Sequence, residues 1–150
     1  MGIQMILGII AAAALSAIAY PKYMSYTEKA KFAEIVRALA PIKKSIEICP
    51  RTLGVSSRRF GSRCSEENRD NPMGSTRVYE SVETVAELQS IKDVFASGED
   101  NIVTVGIETS RIFNDKETFT YYLNATMSKR GNINWEIDED KSNCDDFEYC

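Results

Sequence analysis

The side chains that could carry chemistry in this 150-residue chain are cysteines, arginines and carboxylates, because histidine is absent. Without histidine, imidazole-based acid–base catalysis and imidazole metal ligands are excluded. The four cysteines are Cys49, Cys64, Cys144 and Cys150, an even number that suits two disulfides in an oxidising compartment. Pairing in sequence order, Cys49–Cys64 and Cys144–Cys150, closes two local loops and is the preferred expectation, although sequence leaves other connectivities open. A four-cysteine zinc site is disfavoured because no Cys-x-x-Cys pair is present.

The interval between Cys49 and Cys64 contains four arginines. These are Arg51, Arg58, Arg59 and Arg63. Guanidinium groups pair well with phosphates, so the cluster is a candidate surface for DNA or an acidic host surface. The alternative is a solvated loop whose charge is balanced by Glu66, Glu67 and Asp70. The net charge of -4 and pI near 5.0 provide no global basic field, so any such attraction has to be local.

Carboxylates cluster near the C-terminus. They are Asp138, Glu139, Asp140, Asp145, Asp146 and Glu148. Calcium accepts several oxygen ligands, but the spacing does not follow the EF-hand pattern, so we predict a solvated acidic tail and no metal site. The sequence shows no nucleophile–base arrangement, phosphate loop or cofactor motif. We therefore predict no catalytic residue and no cofactor, and we expect a protein that is not an enzyme.

The first 21 residues contain no charged side chain. A helix of about 20 such residues spans about 30 Å, the thickness of the hydrocarbon core of a bilayer. Exposing eight of its large apolar side chains would cost on the order of 16 kcal/mol, at about 2 kcal/mol each, so the segment needs lipid or partner helices. The eight are Ile3, Met5, Ile6, Leu7, Ile9, Ile10, Leu15 and Ile18. Gly8 and Ala11–Ala14 would let neighbouring helix backbones approach closely. We define residues 1–27 as a hydrophobic helical arm and residues 28–150 as a head.

The head begins with a predicted amphipathic helix at 28–48. Its apolar residues recur every three or four positions: Phe32, Ile35, Val36, Leu39, Ile42 and Ile46. Pro21 and Pro41 predict bends, since proline lacks an amide hydrogen and clashes with the preceding turn. Residues 49–77 are rich in Ser, Arg, Gly and Asn and are predicted to form a loop.

A sheet is predicted from about residue 91 to residue 138. Residues 78–96 are ambiguous, because Thr84–Glu87 resembles a capping box while 91–97 could be a strand. Three later runs at 102–107, 118–123 and 133–137 are rich in β-branched and aromatic residues and indicate an antiparallel meander. Residues 139–150 would form a C-terminal disulfide loop. The predicted fold is α+β, a long kinked N-terminal helix packed on an antiparallel sheet of about four strands.

The segment from Ala17 to Lys31 resembles the Ala-x-Pro-x-Tyr-x-x-Tyr-x-x-x-Ala motif of type IV pilins, particularly type IVa. Pro21, Tyr23, Tyr26 and Ala30 occupy its fixed points. Trp135, followed by a cysteine-closed C-terminal loop, is also similar to the family. The resemblance implies a ladle-shaped major pilin subunit, held in the bacterial inner membrane and then assembled by the pilus machinery into an extracellular helical filament. It also implies roles in adhesion, twitching motility or DNA uptake.

The resemblance assigns the assembly interface to the arm. The residues concerned are Met1, Gln4, Met5, Gly8, Ala13, Pro21, Tyr23 and Tyr26. The family usually has a glutamate near the mature N-terminus, whereas this chain has Gln4 or Met5 there, so the contact would lack a charge. Ala13 stands where a helix-loosening glycine often occurs, and alanine is the best helix former. Alternatives are a minor pilin or type II secretion pseudopilin that primes or tips a filament, and a single-span membrane-anchored binding module.

Overall fold

The computed structural model of this protein describes residues 26, 27, 29–66, 75–109 and 118–144. The chain divides into two units, Met1–Glu34 and Ile35–Cys150. In the first unit, the described residues 26, 27 and 29–34 are helical. The predicted arm therefore lies outside the described residues, apart from Tyr26 and Thr27. In the part of the chain that is described, every helix is too short or too polar to cross a membrane.

The second unit begins with a bent helix. Residues 35–38 are the last residues of α1, whose continuously described stretch begins at residue 29; Leu39 is a turn residue, and α2 spans Ala40–Leu53. The Leu39 amide donates to the Val36 carbonyl at 3.3 Å, and Pro41 two residues later has no amide hydrogen to donate. The bend predicted from Pro41 is therefore confirmed. Gly54, with φ of 61°, ends α2 in the left-handed conformation that glycine adopts without strain.

The loop predicted for 49–77 is wrong over much of its length. α2 continues to Leu53, a 3-10 helix covers Ser57–Arg59, α3 spans Phe60–Cys64, and α4 spans Ser75–Ala86. Packing accounts for the difference, because Phe60 and Cys64 lie four residues apart on one face of α3 and are both fully buried. The capping box at Thr84 is also wrong: its hydroxyl donates to the Glu80 carbonyl within the last turn of α4.

In the described part of the chain, four strands follow α4 and form an antiparallel sheet in the order β1-β2-β3-β4. They are β1 (Ile91–Glu99), β2 (Ile102–Thr109), β3 (Thr120–Met127) and β4 (Ile133–Ile137). The meander predicted from the β-branched and aromatic runs is confirmed. The ambiguity at 78–96 is resolved as a helix to Ala86 and a strand from Ile91.

One face of the sheet is covered by helices, and the core lies between them. Val103, Val105 and Ile107 of β2 alternate inward with Leu123 and Ala125 of β3, and all are buried. The helices contribute their own buried residues: Leu39, Ile42, Ile46, Phe60, Val78, Val82 and Val85. The coarse fold is therefore α+β, with a bent helix packed on a four-stranded antiparallel sheet.

Trp135 of β4 connects the sheet to α2 by a polar contact. Its indole Nε1 donates to Glu47 Oε1 at 2.9 Å, and Lys43 Nζ lies 4.8 Å from the ring centroid. The hydrogen bond and the cation–π contact both position α2 along the edge strand.

Candidate binding surfaces of the head

The disulfide Cys49–Cys64 joins the last part of α2 to α3. Its Cα atoms are 5.8 Å apart, and both cysteines are buried. The predicted pairing of these two residues is therefore confirmed, and the bridge connects two helices rather than closing an irregular loop. Cys144 is also buried, whereas Cys150 lies outside the described residues, so the Cys144–Cys150 pairing stays a prediction.

The four candidate arginines lie on three different elements. Arg51 is exposed on the last turn of α2, Arg58 and Arg59 are exposed on the 3-10 helix, and Arg63 is half-buried on α3. Arg59 and Arg63 line a small cleft of about 60 Å³ beside Leu53–Val55. Two of the four arginines therefore line one cleft beside the end of α2, while Arg58 lines a different one.

Arg58 shares its cleft with Lys129, a residue that the sequence did not single out. This cleft of about 590 Å³ lies between the 3-10 helix and the β1–β2 and β3–β4 turns, and Asp100, Asn101 and Ser128 also line it. The two cations are 71 positions apart in sequence, so only the fold brings them together. Among the described residues that line the cleft, Asp100 supplies the single carboxylate against two cations, which gives this part of the lining a net positive charge.

Of the three carboxylates predicted to balance the charge of the arginines, the structure describes Glu66. Glu66 Oε2 accepts the Ala96 amide at 3.3 Å, and the Glu66 amide donates to the Ala96 carbonyl at 2.9 Å. Glu66 therefore covers the outer edge of β1. Glu67 and Asp70 lie outside the described residues. The ion pairs found within the described ranges, Lys92–Glu108 and Lys141–Asp138, include none of the four arginines.

Asp138 is the one acidic C-terminal residue with a well-defined network in the described ranges. Asn124 Nδ2 donates to Asp138 Oδ2 at 3.2 Å, and Lys141 Nζ lies 3.3 Å from the same oxygen. Burial acts to raise the pKa of this carboxyl, but the hydrogen bonds from Asn124 and Lys141 and the charge of Lys141 together lower it below 3.8.

Nothing in the described ranges groups three carboxylate, cysteine or histidine side chains as a metal site would require. Glu139 and Asp140 are exposed in the turn after Asp138. Asp145, Asp146 and Glu148 lie outside the described residues, so the solvated acidic tail stays a prediction.

The outer face of the sheet carries two rows of side chains that the strand register aligns. In the first row, Phe95 and Tyr122 flank Gly106; in the second, Ser97, Thr104 and Asn124 lie side by side. A Cβ on Gly106 would lie 2.5 Å from the Phe95 ring and 2.8 Å from the Tyr122 ring. Glycine is therefore required for the two rings to cover this position, where they meet edge to face with centroids 5.9 Å apart.

The second row is continuous with the Asp138 network. Thr104 Oγ1 and Asn124 Oδ1 are 2.8 Å apart, and Asn124 donates onward to Asp138. Both ends of the Asn124 amide are engaged in the middle of β3, although Asn124–Thr126 reads as a glycosylation triplet in sequence. A surface depression of about 820 Å³ lies over these rows, with Ile102, Asp100 and Lys141 at its rim.

This depression was missed by sequence reasoning. Its residues alternate with buried ones along three strands, and the alternation is the only sequence signal that places them on one face. Which of them become neighbours depends on register, which a run of β-branched residues does not specify.

The predicted assembly residues fall almost entirely outside the described ranges. Met1, Gln4, Met5, Gly8, Ala13, Pro21 and Tyr23 are all among residues 1–25. Tyr26 is described; it is helical, and 76% of its surface is exposed.

Comparison of the chain with protein-family models, with curated proteins and with solved structures finds no match in any of the three.

Proposed function

We propose that this protein is the structural subunit of a type IV pilus-like filament, with a ladle-shaped subunit whose arm forms the filament core. The observation that carries the proposal is the uncharged segment 1–21 joined directly to the Pro21, Tyr23, Tyr26 and Ala30 pattern. An arm of this composition is unfavourable in water and favourable in lipid or in a bundle of like arms. Transfer from one to the other costs little hydrophobic free energy, which suits reversible assembly.

The head is compatible with this role. A bent helix on a four-stranded meander, with a disulfide between α2 and α3, gives a small domain whose exposed surfaces differ from one side to another. A surface that meets a different surface on the next copy makes a heterologous contact, and such contacts propagate as an open helix. In this proposal the protein resides in the inner membrane before assembly and outside the cell afterwards, and it performs no catalysis.

Substitutions in the arm separate polymerisation from simple anchoring. Gly8→Leu and Ala13→Leu keep the segment apolar, so membrane insertion should persist, but they block close approach of neighbouring helices. The measurement is the amount of this protein in the membrane fraction and in filaments sheared from the cell surface. Ala86→Leu, at an exposed site at the end of α4, is the matched control.

The proposal expects normal membrane levels and a loss of sheared filaments for the two arm variants only. Filaments as abundant as in wild type for both variants would contradict close packing of the arms. If wild type itself forms no filament, the single-span binding module replaces the proposal.

A minor pilin or pseudopilin is the second candidate, and the uncharged Gln4 favours it. Without a carboxylate near the N-terminus, the contact with the neighbouring subunit's terminal amine loses its charge pairing. Labelling the head with gold-conjugated antibody distinguishes the two roles. Label along the whole filament indicates the major subunit, and label confined to the tip or absent from most filaments indicates a minor one.

Binding of DNA or another polyanion by the head is a further part of the proposal. It is supported by Arg58 and Lys129 sharing one cleft and by Arg59 and Arg63 sharing another. Filament repetition would turn these local groups into a basic stripe on a protein whose net charge is -4.

A further inference from the structure

The polar row on the outer face of the sheet retains hydrogen-bonding capacity that described protein groups do not use. Asn124 uses one amide hydrogen on Asp138 and one lone pair on Thr104, which leaves one of each. The hydroxyl of Ser97 in this row, and that of Tyr122 in the neighbouring aromatic row, have no hydrogen-bond partner among the described residues. The row therefore presents donors and acceptors together, on a scaffold whose central amide is already fixed in orientation.

The aromatic row gives the depression an apolar end beside these polar groups. The Phe95 and Tyr122 rings are held against Gly106 and against each other, so their positions are set before any ligand arrives. Aromatic faces are electron-rich and attract the weakly positive C–H groups of an apolar ligand surface. A ligand that fits both rows must have a hydroxyl-rich side and a C–H-rich side.

The charges at the rim disfavour an anionic ligand. Glu99 and Asp100 contribute two carboxylates, while Lys141, the only cation among the described residues that line the depression, is paired with Asp138. An anion would meet a negative rim, and a neutral polar ligand would not. The volume of about 820 Å³ falls within the range of about 300–1,000 Å³ that holds small ligands.

We propose that this depression binds an uncharged saccharide, one or two hexose units long. A hexose ring has hydroxyl groups that both donate and accept, and a C–H face that can lie on an aromatic ring. Ser97, Asn124 and Tyr122 would bind its hydroxyls, and the aromatic row would contact its C–H face. This binding does not depend on polymerisation, because every group concerned lies within the second unit.

The test is a titration of saccharides into the full chain, monitored by saturation-transfer difference NMR. The protein is kept in a phosphocholine detergent, which contains no sugar. The probes are lactose, maltose and cellobiose, with sialyllactose as an anionic counterpart of lactose. Ser97→Ala and Tyr122→Phe each remove one hydroxyl that makes no described protein contact, so folding should be retained. Ser56→Ala removes an exposed serine hydroxyl that makes no capping hydrogen bond and serves as the matched control.

The proposal expects saturable binding of at least one neutral disaccharide and weaker binding of sialyllactose than of lactose. Loss of one hydrogen bond should weaken Kd about threefold to tenfold in Ser97→Ala and in Tyr122→Phe, with no change in Ser56→Ala. Absence of saturable binding for all three neutral probes would overturn the proposal. Unchanged Kd in both site variants, or equal binding of the anionic probe, would overturn it as well.

Discussion

Gly61 of α3 and Gly98 of β1 meet through their backbones. A Cβ on Gly98 would lie 2.1 Å from the Gly61 carbonyl oxygen, and a Cβ on Gly61 would lie 2.3 Å from the Ile102 carbonyl oxygen. The Gly61 amide also donates to the Asp100 carbonyl at 2.8 Å. These contacts hold α3, and with it the disulfide to α2, against the β1–β2 turn, and so they position the basic clefts.

Gly61→Ala should destabilise the head even though alanine is the better helix former. Relief of the backbone clash requires α3 to move away from the β1–β2 turn, and overpacking of this kind costs about 1–3 kcal/mol. The intrinsic helix preference of alanine offsets at most about 1 kcal/mol of that cost. The change in the free energy of unfolding is measured by urea unfolding of the full chain in detergent, monitored by circular dichroism.

Gly98→Ala is the companion variant, because its Cβ would strike the same contact from the other side. Ala86→Gly, at an exposed helix end, controls for a glycine–alanine exchange away from the contact. A Gly61→Ala protein as stable as wild type would show that the two backbones do not meet in solution.

The disulfide Cys49–Cys64 should contribute about 3 kcal/mol to the free energy of unfolding, as expected for a closed loop of about 15 residues. Cys49→Ala with Cys64→Ala removes it and should lower the urea midpoint while the far-ultraviolet spectrum stays helical and sheet-like. Both cysteines are buried, so part of the loss will come from packing. An unchanged midpoint would contradict a structural role for the bridge.

Asp138 should stabilise the head at neutral pH and lose this effect in acid. Its folded pKa lies below the ordinary value of 3.8, so its contribution is present above that value and disappears as pH falls through the lower folded pKa. The difference in unfolding free energy between wild type and Asp138→Asn should therefore be largest at pH 5–7 and shrink below about pH 4. A difference that stays constant down to pH 2 would contradict the charge-based account.

Replacing Arg51, Arg58, Arg59 and Arg63 by glutamine should reduce DNA retention by filaments. The plot of log affinity against log salt has a negative slope, and each lost phosphate contact makes it shallower by about 0.9. The slope of the fourfold variant should therefore be shallower by up to about 3–4. The matched control replaces four exposed cations outside the cluster, Arg37, Lys44, Arg77 and Lys92, by glutamine. Equal binding and equal slopes for the two fourfold variants would show that the arginine cluster has no specific role.

Lys129→Gln tests what the fold adds to this surface. Because Lys129 shares a cleft with Arg58, we expect it to make about one phosphate contact. Its replacement should make the slope of log affinity against log salt shallower by about 0.9. Lys92→Gln, on the exposed surface of β1, should have a smaller effect. If both single variants match wild type, the cleft between the 3-10 helix and the β3–β4 turn is not part of the DNA surface.

Short sequence patterns predicted the Pro41 bend and the strands well, because these features depend mainly on residues that are close in sequence. The Pro41 bend follows from a missing amide hydrogen, and β2 and β4 follow from runs such as 102–107 and 133–137. The interval 49–77 was mispredicted because its helices owe their stability to the burial of Phe60 and to the disulfide, which are tertiary effects.

The candidate surfaces were predictable only where their residues are close in sequence. The four arginines were visible as a cluster, but Lys129 joins Arg58 through the meeting of a helix and a distant turn. The row of Ser97, Thr104 and Asn124 depends on the strand register, and so does the requirement for glycine at Gly106, because its two aromatic neighbours come from other strands.

The central claim, polymerisation through the arm, is tested most directly by cryo-electron microscopy of material sheared from cells that make this protein. The account predicts long helical filaments whose density accommodates this chain at every subunit, with residues 1–27 bundled in the core and the sheet of the head outside. Sheared material without filaments, or filaments built from another protein with this chain absent or rare, would contradict it.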